Sequence, residues 1–187
     1  MLNYATKCVI FKIGKEVSKI FDALELAVYI SEKYYRENGR LEISGIKLQK
    51  SLYFLYAYWG GFVRKSKNNK ESIEQDLSSY NELLFDDEFQ AWTYGPVVPT
   101  VYHGIESYKR TISADYDRIV EKISEQGDGF VKQFIDDLLN DIFKLSDFKL
   151  VDISHEDRSW INHYDYNDDY HNEVITPEEI ICEYASK

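Results

Sequence analysis

Apolar and polar positions follow a helical period over much of the chain. From Asp22 onward, Ala23, Leu26, Ala27, Ile30 and Tyr34 recur every three or four residues behind an Asp22/Glu25 capping pair, which predicts a helix ending near Asn38-Gly39. Its buried stripe calls for a second helix to pack against. Ser44 is a good N-cap for that helix, which carries Ile46, Leu48, Leu52, Leu55, Tyr56 and Trp59 and is predicted to break at Gly60-Gly61. Its second half, Leu52 to Trp59, is apolar on all sides, so it is the expected central helix; Lys47, Gln49 and Lys50 read as its polar beginning. A polar loop containing Arg64, Lys65, Lys67 and Lys70 is expected next, as a solvated linker.

Glu88 to Tyr94 alternates in the manner of a short strand and stops at Gly95-Pro96. Pro96 and Pro99 each fix their own φ and push the preceding residue away from the α region, so this backbone is stiff. Val101, Tyr102, Ile105 and Tyr108 predict a third helix. A weakly patterned stretch then reaches a turn at Gly127-Asp128-Gly129. Beyond it, Phe130, Phe134, Ile135, Leu138, Leu139 and Ile142 predict a clear amphipathic helix, and Ser146 caps a short one through Val151. Thr176-Pro177-Glu178-Glu179 marks a strong helix start ahead of Ile180, Ile181 and Tyr184. Residues 1–20 have no clean period and are interrupted by Gly14; they read as an N-terminal extension to a domain over 21–187.

Composition narrows the class. A chain of 187 residues fits one domain, and such a domain buries about 70% of its unfolded surface. With 16 Tyr, 10 Phe and 3 Trp, its core is expected to be aromatic with phenol groups at its edge, and disorder of the whole chain is excluded. The two cysteines, Cys8 and Cys182, have no neighbouring thiol at metal-ligand or redox spacing, which points to a reducing cytoplasm. No apolar stretch with a cleavage site is visible near the start. The longest apolar run, Leu52 to Val63, contains two glycines and is shorter than the roughly 20 residues a membrane-spanning helix needs. A cytoplasmic protein without a membrane partner is therefore expected.

The net charge of −11 is concentrated at the end of the chain: residues 136–187 hold 4 basic and 14 acidic groups. That surface repels phosphate backbones, so direct nucleic-acid binding through it is disfavoured, and it would attract a basic protein. A solvated, solubilising face is the other reading of the same charges.

Candidate chemistry is sparse. The stiff segment Gly95, Pro96, Val97 and Pro99, bordered by Trp92, Tyr94 and Tyr102, is a candidate partner-binding surface, because a rigid turn loses little entropy on binding and Trp and Tyr are hot-spot types. Alternatively these aromatics wedge the strand against the central helix. Asp165, Asp168 and Asp169 are the acidic candidates for a basic partner. His155 beside Glu156 and Asp157 has no Ser or Cys nucleophile motif with it and reads as a structural histidine at a helix end. Asp165, Asn167 and Asp169 match the opening of a calcium loop, but Tyr170 and Thr176 stand where its Gly and Glu belong. An ion held by His163, His171 and an Asp, or a metal-dependent hydrolase built on His155, His163 and His171, is the enzymatic alternative. No catalytic residue, metal or cofactor is assigned.

Three segments resemble the Panacea domain, the family that includes SocA-like antitoxins and many phage-associated proteins. The first is Ile46-Lys47-Leu48-Gln49-Lys50-Ser51-Leu52-Tyr53-Phe54. The second comprises Leu84-Phe85 and the run Phe89-Gln90-Ala91-Trp92-Thr93-Tyr94-Gly95-Pro96-Val97-Val98-Pro99-Thr100-Val101-Tyr102. The third is Ser154-His155-Glu156-Asp157, Trp160 and Ile175-Thr176-Pro177-Glu178-Glu179-Ile180. The likeness extends over residues 22–184. It departs from the family pattern at Arg158-Ser159, where a proline usually precedes the tryptophan. The resemblance implies a mainly α fold, a multi-helix domain with a small β element. It also implies a protein partner: family members neutralise toxins of several unrelated folds, and a SocA-like member delivers its toxin to a protease. A phage or mobile-element protein that masks a cognate toxin is the resulting expectation. Inhibition of a host defence nuclease and proteolytic delivery are the alternatives.

Overall fold

Helix α2 (Gly45–Asn68) is the axis around which the protein is arranged. In the computed structural model, which describes residues 21–68, 77, 80–112, 116–125, 129–166 and 172–187, it packs against α1 (Ala23–Glu37), α3 (Pro99–Ile112), α5 (Phe130–Lys144), α6 (Asp147–His155) and α8 (Pro177–Ser186). Two further helices, α4 (Tyr116–Glu125) and α7 (Arg158–Ile161), bring the described helices to eight. Strands β1 (Phe89–Trp92), β2 (Gly95–Val97) and β3 (Val174–Ile175) form one small antiparallel sheet in the order β2-β1-β3. The protein is thus mainly α with a minor β element. Residues 1–20, the subject of the extension expectation, lie outside the described residues, and with them Cys8, one of the two cysteines behind the redox expectation; so do Lys70, Gly127 and Asp128.

Local signals place most helix starts. The Asp22 carboxylate accepts from the Leu24 and Glu25 amides at 2.8 and 3.2 Å, and Ser44 Oγ accepts from the Lys47 amide at 3.0 Å. Ser146 does the same for Lys149, and Thr176 and Glu179 close a reciprocal capping box at α8.

Three expectations are overturned. First, α2 does not break at Gly60-Gly61; it runs on for two more turns. The glycines are the contact point with α8: a Cβ on Gly61 would stand 2.7 Å from the backbone carbon of Tyr184, and one on Gly60 would stand 2.5 Å from Ile181 Cγ1. The helix-propensity penalty, about 1 kcal/mol per glycine, is offset by the burial this close approach permits.

Second, Arg64 and Lys67 are not in a solvated linker. They lie on the extended α2, where Arg64 bonds Glu82 at 2.6 and 2.8 Å and Glu178 at 2.8 and 2.9 Å, joining α2 to the segment before β1 and to α8. Lys67 reaches Glu82 at 3.4 Å.

Third, the weakly patterned stretch after α3 contains α4, and α7 and strands β2 and β3 were not predicted. Only Ile119 and Ile123 of α4 are buried, too few for a periodic signal, and α1 and α5 supply its packing. Pro96 is tolerated in β2 because that strand lies at the sheet edge.

The core is aromatic, as the composition implies. Trp59, Tyr53, Tyr56, Phe85 and Phe89 are buried side by side, with the Tyr56 ring 4.9 Å from Phe85 and 5.2 Å from Phe89. Tyr53 and Tyr184 both donate to the buried carboxylate of Asp157, at 2.7 and 2.8 Å, whereas the Tyr56 hydroxyl is buried with no partner among the described residues. Among the described residues no helix is long and apolar enough to cross a membrane.

Candidate functional site

The hairpin β1-β2 turns through Thr93-Tyr94 and is fastened from behind by side chains of three helices. Its register pairs Trp92 with Gly95, Ala91 with Pro96 and Gln90 with Val97. From α2, the Gln49 amide accepts from the Val98 N–H at 2.8 Å and donates to the Val98 carbonyl at 3.3 Å, so one side chain takes the place of a neighbouring strand. One position on, Lys50 Nζ donates to the Pro96 carbonyl at 2.7 Å. From α7, Trp160 Nε1 donates to the Trp92 carbonyl at 3.0 Å. His155, the last residue of α6, lies against the Thr93 backbone and stacks flat on Trp160 with ring centroids 3.9 Å apart. Three backbone positions, Trp92, Pro96 and Val98, are therefore bonded by side chains with His155 packed against a fourth, and the turn has little freedom left to lose on binding.

Gly95 makes this approach possible. Its φ is +89°, in the left-handed region, and a Cβ there would press on Ser154 Oγ and stand 2.8 Å from Lys50 Nζ.

The residues singled out in the sequence divide between core and surface. Gly95, Pro96 and Val97 are buried and form the inner side of the hairpin, and Pro99 is half-buried at the start of α3. Tyr94 and Tyr102 are 55% and 56% exposed, and Trp92 stands half-buried between them, its ring 4.9 Å from that of Tyr102. The hairpin, with Trp92 and Tyr94, and the first turn of α3, with Tyr102, thus display two tyrosines and one tryptophan side by side. Asp165 is exposed beyond α7, whereas Asp168 and Asp169 lie outside the described residues.

Beneath these aromatics is a cavity of about 670 Å³, walled by Ile46, Gln49, Lys50, Trp92, Tyr94 and Tyr102. Sequence reasoning placed Lys47, Gln49 and Lys50 on a polar helix beginning. The structure instead buries all three, at 6%, 4% and 1% exposure. A usable signal was present: Lys50 lies among Leu48, Leu52 and Phe54, directly ahead of the run Leu52 to Trp59 that is apolar on all sides. Desolvation brings the Lys50 amine down to about 7, and both burial and the nearby amine hold the His155 imidazole below its ordinary value.

Residues 74–161 match the family model of the antitoxin SocA-like Panacea domain. The Panacea segment contains the hairpin, α3 to α7 and the Ser154, His155 and Trp160 side chains behind it. Gln49 and Lys50, which hold the hairpin from α2, lie ahead of it, and α8 lies after it. The comparisons with curated proteins and with solved structures gave no match.

Just past the Panacea segment, His163 forms an ion-pair bridge. His163 Nε2 meets Glu179 at 2.9 Å and Nδ1 meets Glu173 at 3.1 Å, linking the end of α7 to β3 and α8. Among the described residues no three potential ligands converge, and the calcium-loop positions 167, 169 and 170 and His171 lie outside them. Burial works against the His163 imidazolium, but the two carboxylates outweigh it and hold its pKa above the ordinary value. For Glu179, burial raises the pKa, and the bonds from Thr176 and His163 more than reverse it.

The signs follow by linkage. The His163 contribution is complete below the imidazole's unfolded pKa of about 6.5 and is lost as pH rises through its raised folded value. The Glu179 contribution is lost as pH falls through its depressed one. His163→Gln is therefore expected to lower stability by about 1 kcal/mol near pH 5.5 and by less above about pH 8.5. Urea titrations at both pH values check this, and a loss of equal size at each would sink it.

Proposed function

We propose that this chain is an antitoxin-like protein that neutralises a cognate toxin by direct binding, presenting Trp92, Tyr94 and Tyr102 as the contact face. The observation that supports the reading is the Panacea match together with the location of the exposed tyrosines inside it, Tyr94 on the hairpin that Gln49, Lys50 and Trp160 bond and Tyr102 on the first turn of α3 that follows it. Hot-spot residue types on a pre-organised base give affinity without an ordering cost. The role is non-catalytic: the protein masks its partner. Residues 21–187 are the functional unit, with residues 1–20 as an extension, and the setting is a phage or mobile element in which the partner is encoded next door. Asp165, Asp168 and Asp169 supply the charge for a basic rim on the partner.

Co-expression with the product of the adjacent gene is the test. Growth rescue and a co-purifying complex are expected. Tyr94→Ala combined with Tyr102→Ala should weaken that complex at least tenfold, since truncating hot-spot residues costs about 2 kcal/mol or more. The double variant's own melting should change little, because both side chains are more than half exposed. An absent complex would remove the antitoxin reading, and an unweakened one would remove this face.

A further inference from the structure

The cavity beside the hairpin contains a buried amine that no carboxylate pairs with among the described residues. Lys50 is 1% exposed and lines the cavity, and its single hydrogen bond among the described residues goes to the neutral Pro96 carbonyl. Lys47, one turn earlier on the same helix, shows the usual arrangement: it too is buried, but it bonds the Leu145 carbonyl and has Asp147 at 3.6 Å. Buried lysines are normally paired. Burial lowers the Lys50 pKa and no acid among the described residues restores it, so the charged form of the amine is disfavoured and a nearby anion would favour its protonation.

The rest of the cavity specifies what kind of anion fits. Ile46, Trp92, Tyr94, Val97 and Tyr102 make its walls largely apolar and aromatic. Its other polar contributions are Thr93, Gln49, whose amide is bonded to Val98, and the first turn of α2, Ser44–Ile46, the positive end of a 24-residue helix. Gly45 there has nothing within 4 Å of where a Cβ would be, so the approach to that turn is open. A volume of about 670 Å³ is in the range of small-ligand sites and well beyond what a single water needs. An inorganic anion would leave those walls facing water, and an uncharged apolar ligand would leave the amine without a counter-charge.

We propose that this cavity is a binding site for an apolar, preferably aromatic, carboxylate, with its ring between Trp92, Tyr102 and Val97 and its carboxylate on Lys50 Nζ. The ligand supplies the carboxylate that Lys50 lacks among the described residues. This goes beyond the antitoxin reading and does not depend on it, because the site is complete within one chain.

The test therefore uses the full-length protein alone. The probes are 3-phenylpropionate, its uncharged amide 3-phenylpropionamide, and N-acetyl-phenylalanine, followed by NMR with labelled lysine side chains. Saturable binding of the acid, at least tenfold weaker binding of the amide and an upward shift of the Lys50 titration on addition of the acid are expected. Lys50→Met should reduce the acid to the affinity of the amide. Ile46→Trp, a half-buried wall position away from the hairpin bonds, should block both and keeps the test decisive if Lys50→Met fails to fold. Tighter binding of N-acetyl-phenylalanine than of 3-phenylpropionate would identify the ligand as the C-terminal residue of a polypeptide; the reverse order would identify a free small acid. Equal binding of acid and amide, no saturable binding of either acid, or full binding to Lys50→Met would overturn the proposal. None of these results bears on whether a toxin is bound.

Discussion

Gly61→Ala is expected to destabilise the protein by about 2 kcal/mol or more, whereas the same substitution at Gly45 of the same helix leaves stability unchanged or raises it slightly. Helix propensity by itself favours alanine at both positions, by up to about 1 kcal/mol. At Gly45 nothing stands within 4 Å of the new methyl group, so propensity decides. At Gly61 the methyl would be 2.7 Å from the Tyr184 carbonyl carbon, 2.7 Å from Tyr184 Cβ and 2.9 Å from the Ala185 nitrogen. Two of those atoms are backbone, and no rotamer change can move them. Helix α8 must shift as a body, and with it the Arg64 links to Glu178 and the Tyr184 bond to Asp157. Overpacking of this kind costs about 1–3 kcal/mol and occasionally more, which outweighs the propensity gain. Denaturant midpoints of the two variants against wild type check the prediction. A Gly61→Ala protein as stable as Gly45→Ala would show that α2 and α8 do not approach at this point.

A loss of about 3–5 kcal/mol is expected for Asp157→Ala, the largest single-residue effect in the protein apart from outright misfolding. Asp157 is 1% exposed. Its Oδ2 accepts from Tyr53 of α2 at 2.7 Å and from Tyr184 of α8 at 2.8 Å, while Oδ1 pairs with Lys187 at the chain end. Burial, with the carboxylate in contact, pushes both phenols above their ordinary range, so they stay neutral donors. Removing the carboxylate leaves the Tyr184 hydroxyl buried without its acceptor and Tyr53 with only Ser159 at 3.1 Å. Tyr53→Phe removes one donor and no acceptor, and is expected to cost about 1 kcal/mol. The contrast between the two variants, read by thermal and urea unfolding, separates loss of a shared acceptor from loss of one bond. Similar small losses for both would mean that Asp157 does not organise this corner. The node also explains how the Panacea segment is joined to its surroundings: Asp157 lies inside residues 74–161, and its three donors lie outside them.

How far the fold could be read from the chain depends on the range of the interaction involved. The helix starts at Asp22, Ser44, Ser146 and Thr176 were legible because a cap is a bond to an amide two or three residues away. Helices α1, α3 and α5 were legible because a sustained apolar stripe repeats within each of them. The strand Phe89–Trp92 shows its alternation of buried and half-buried positions directly. The Panacea resemblance added what periodicity could not, a mainly helical domain with a small sheet.

Tertiary structure decided the rest. Whether α2 passes through Gly60-Gly61 depends on α8, whose Ile181 and Tyr184 come from more than a hundred residues further along. Whether Gln49 and Lys50 face water or the core depends on carbonyls and amides 46 and 49 residues away. The cavity, its buried amine and the anchoring of the hairpin exist only once α2, α6 and α7 surround that hairpin. A backbone dihedral or a cap is settled by energies local to a few residues, so sequence encodes it openly. A close helix approach, a captured carbonyl or an enclosed volume is settled by surfaces that meet only in the folded chain.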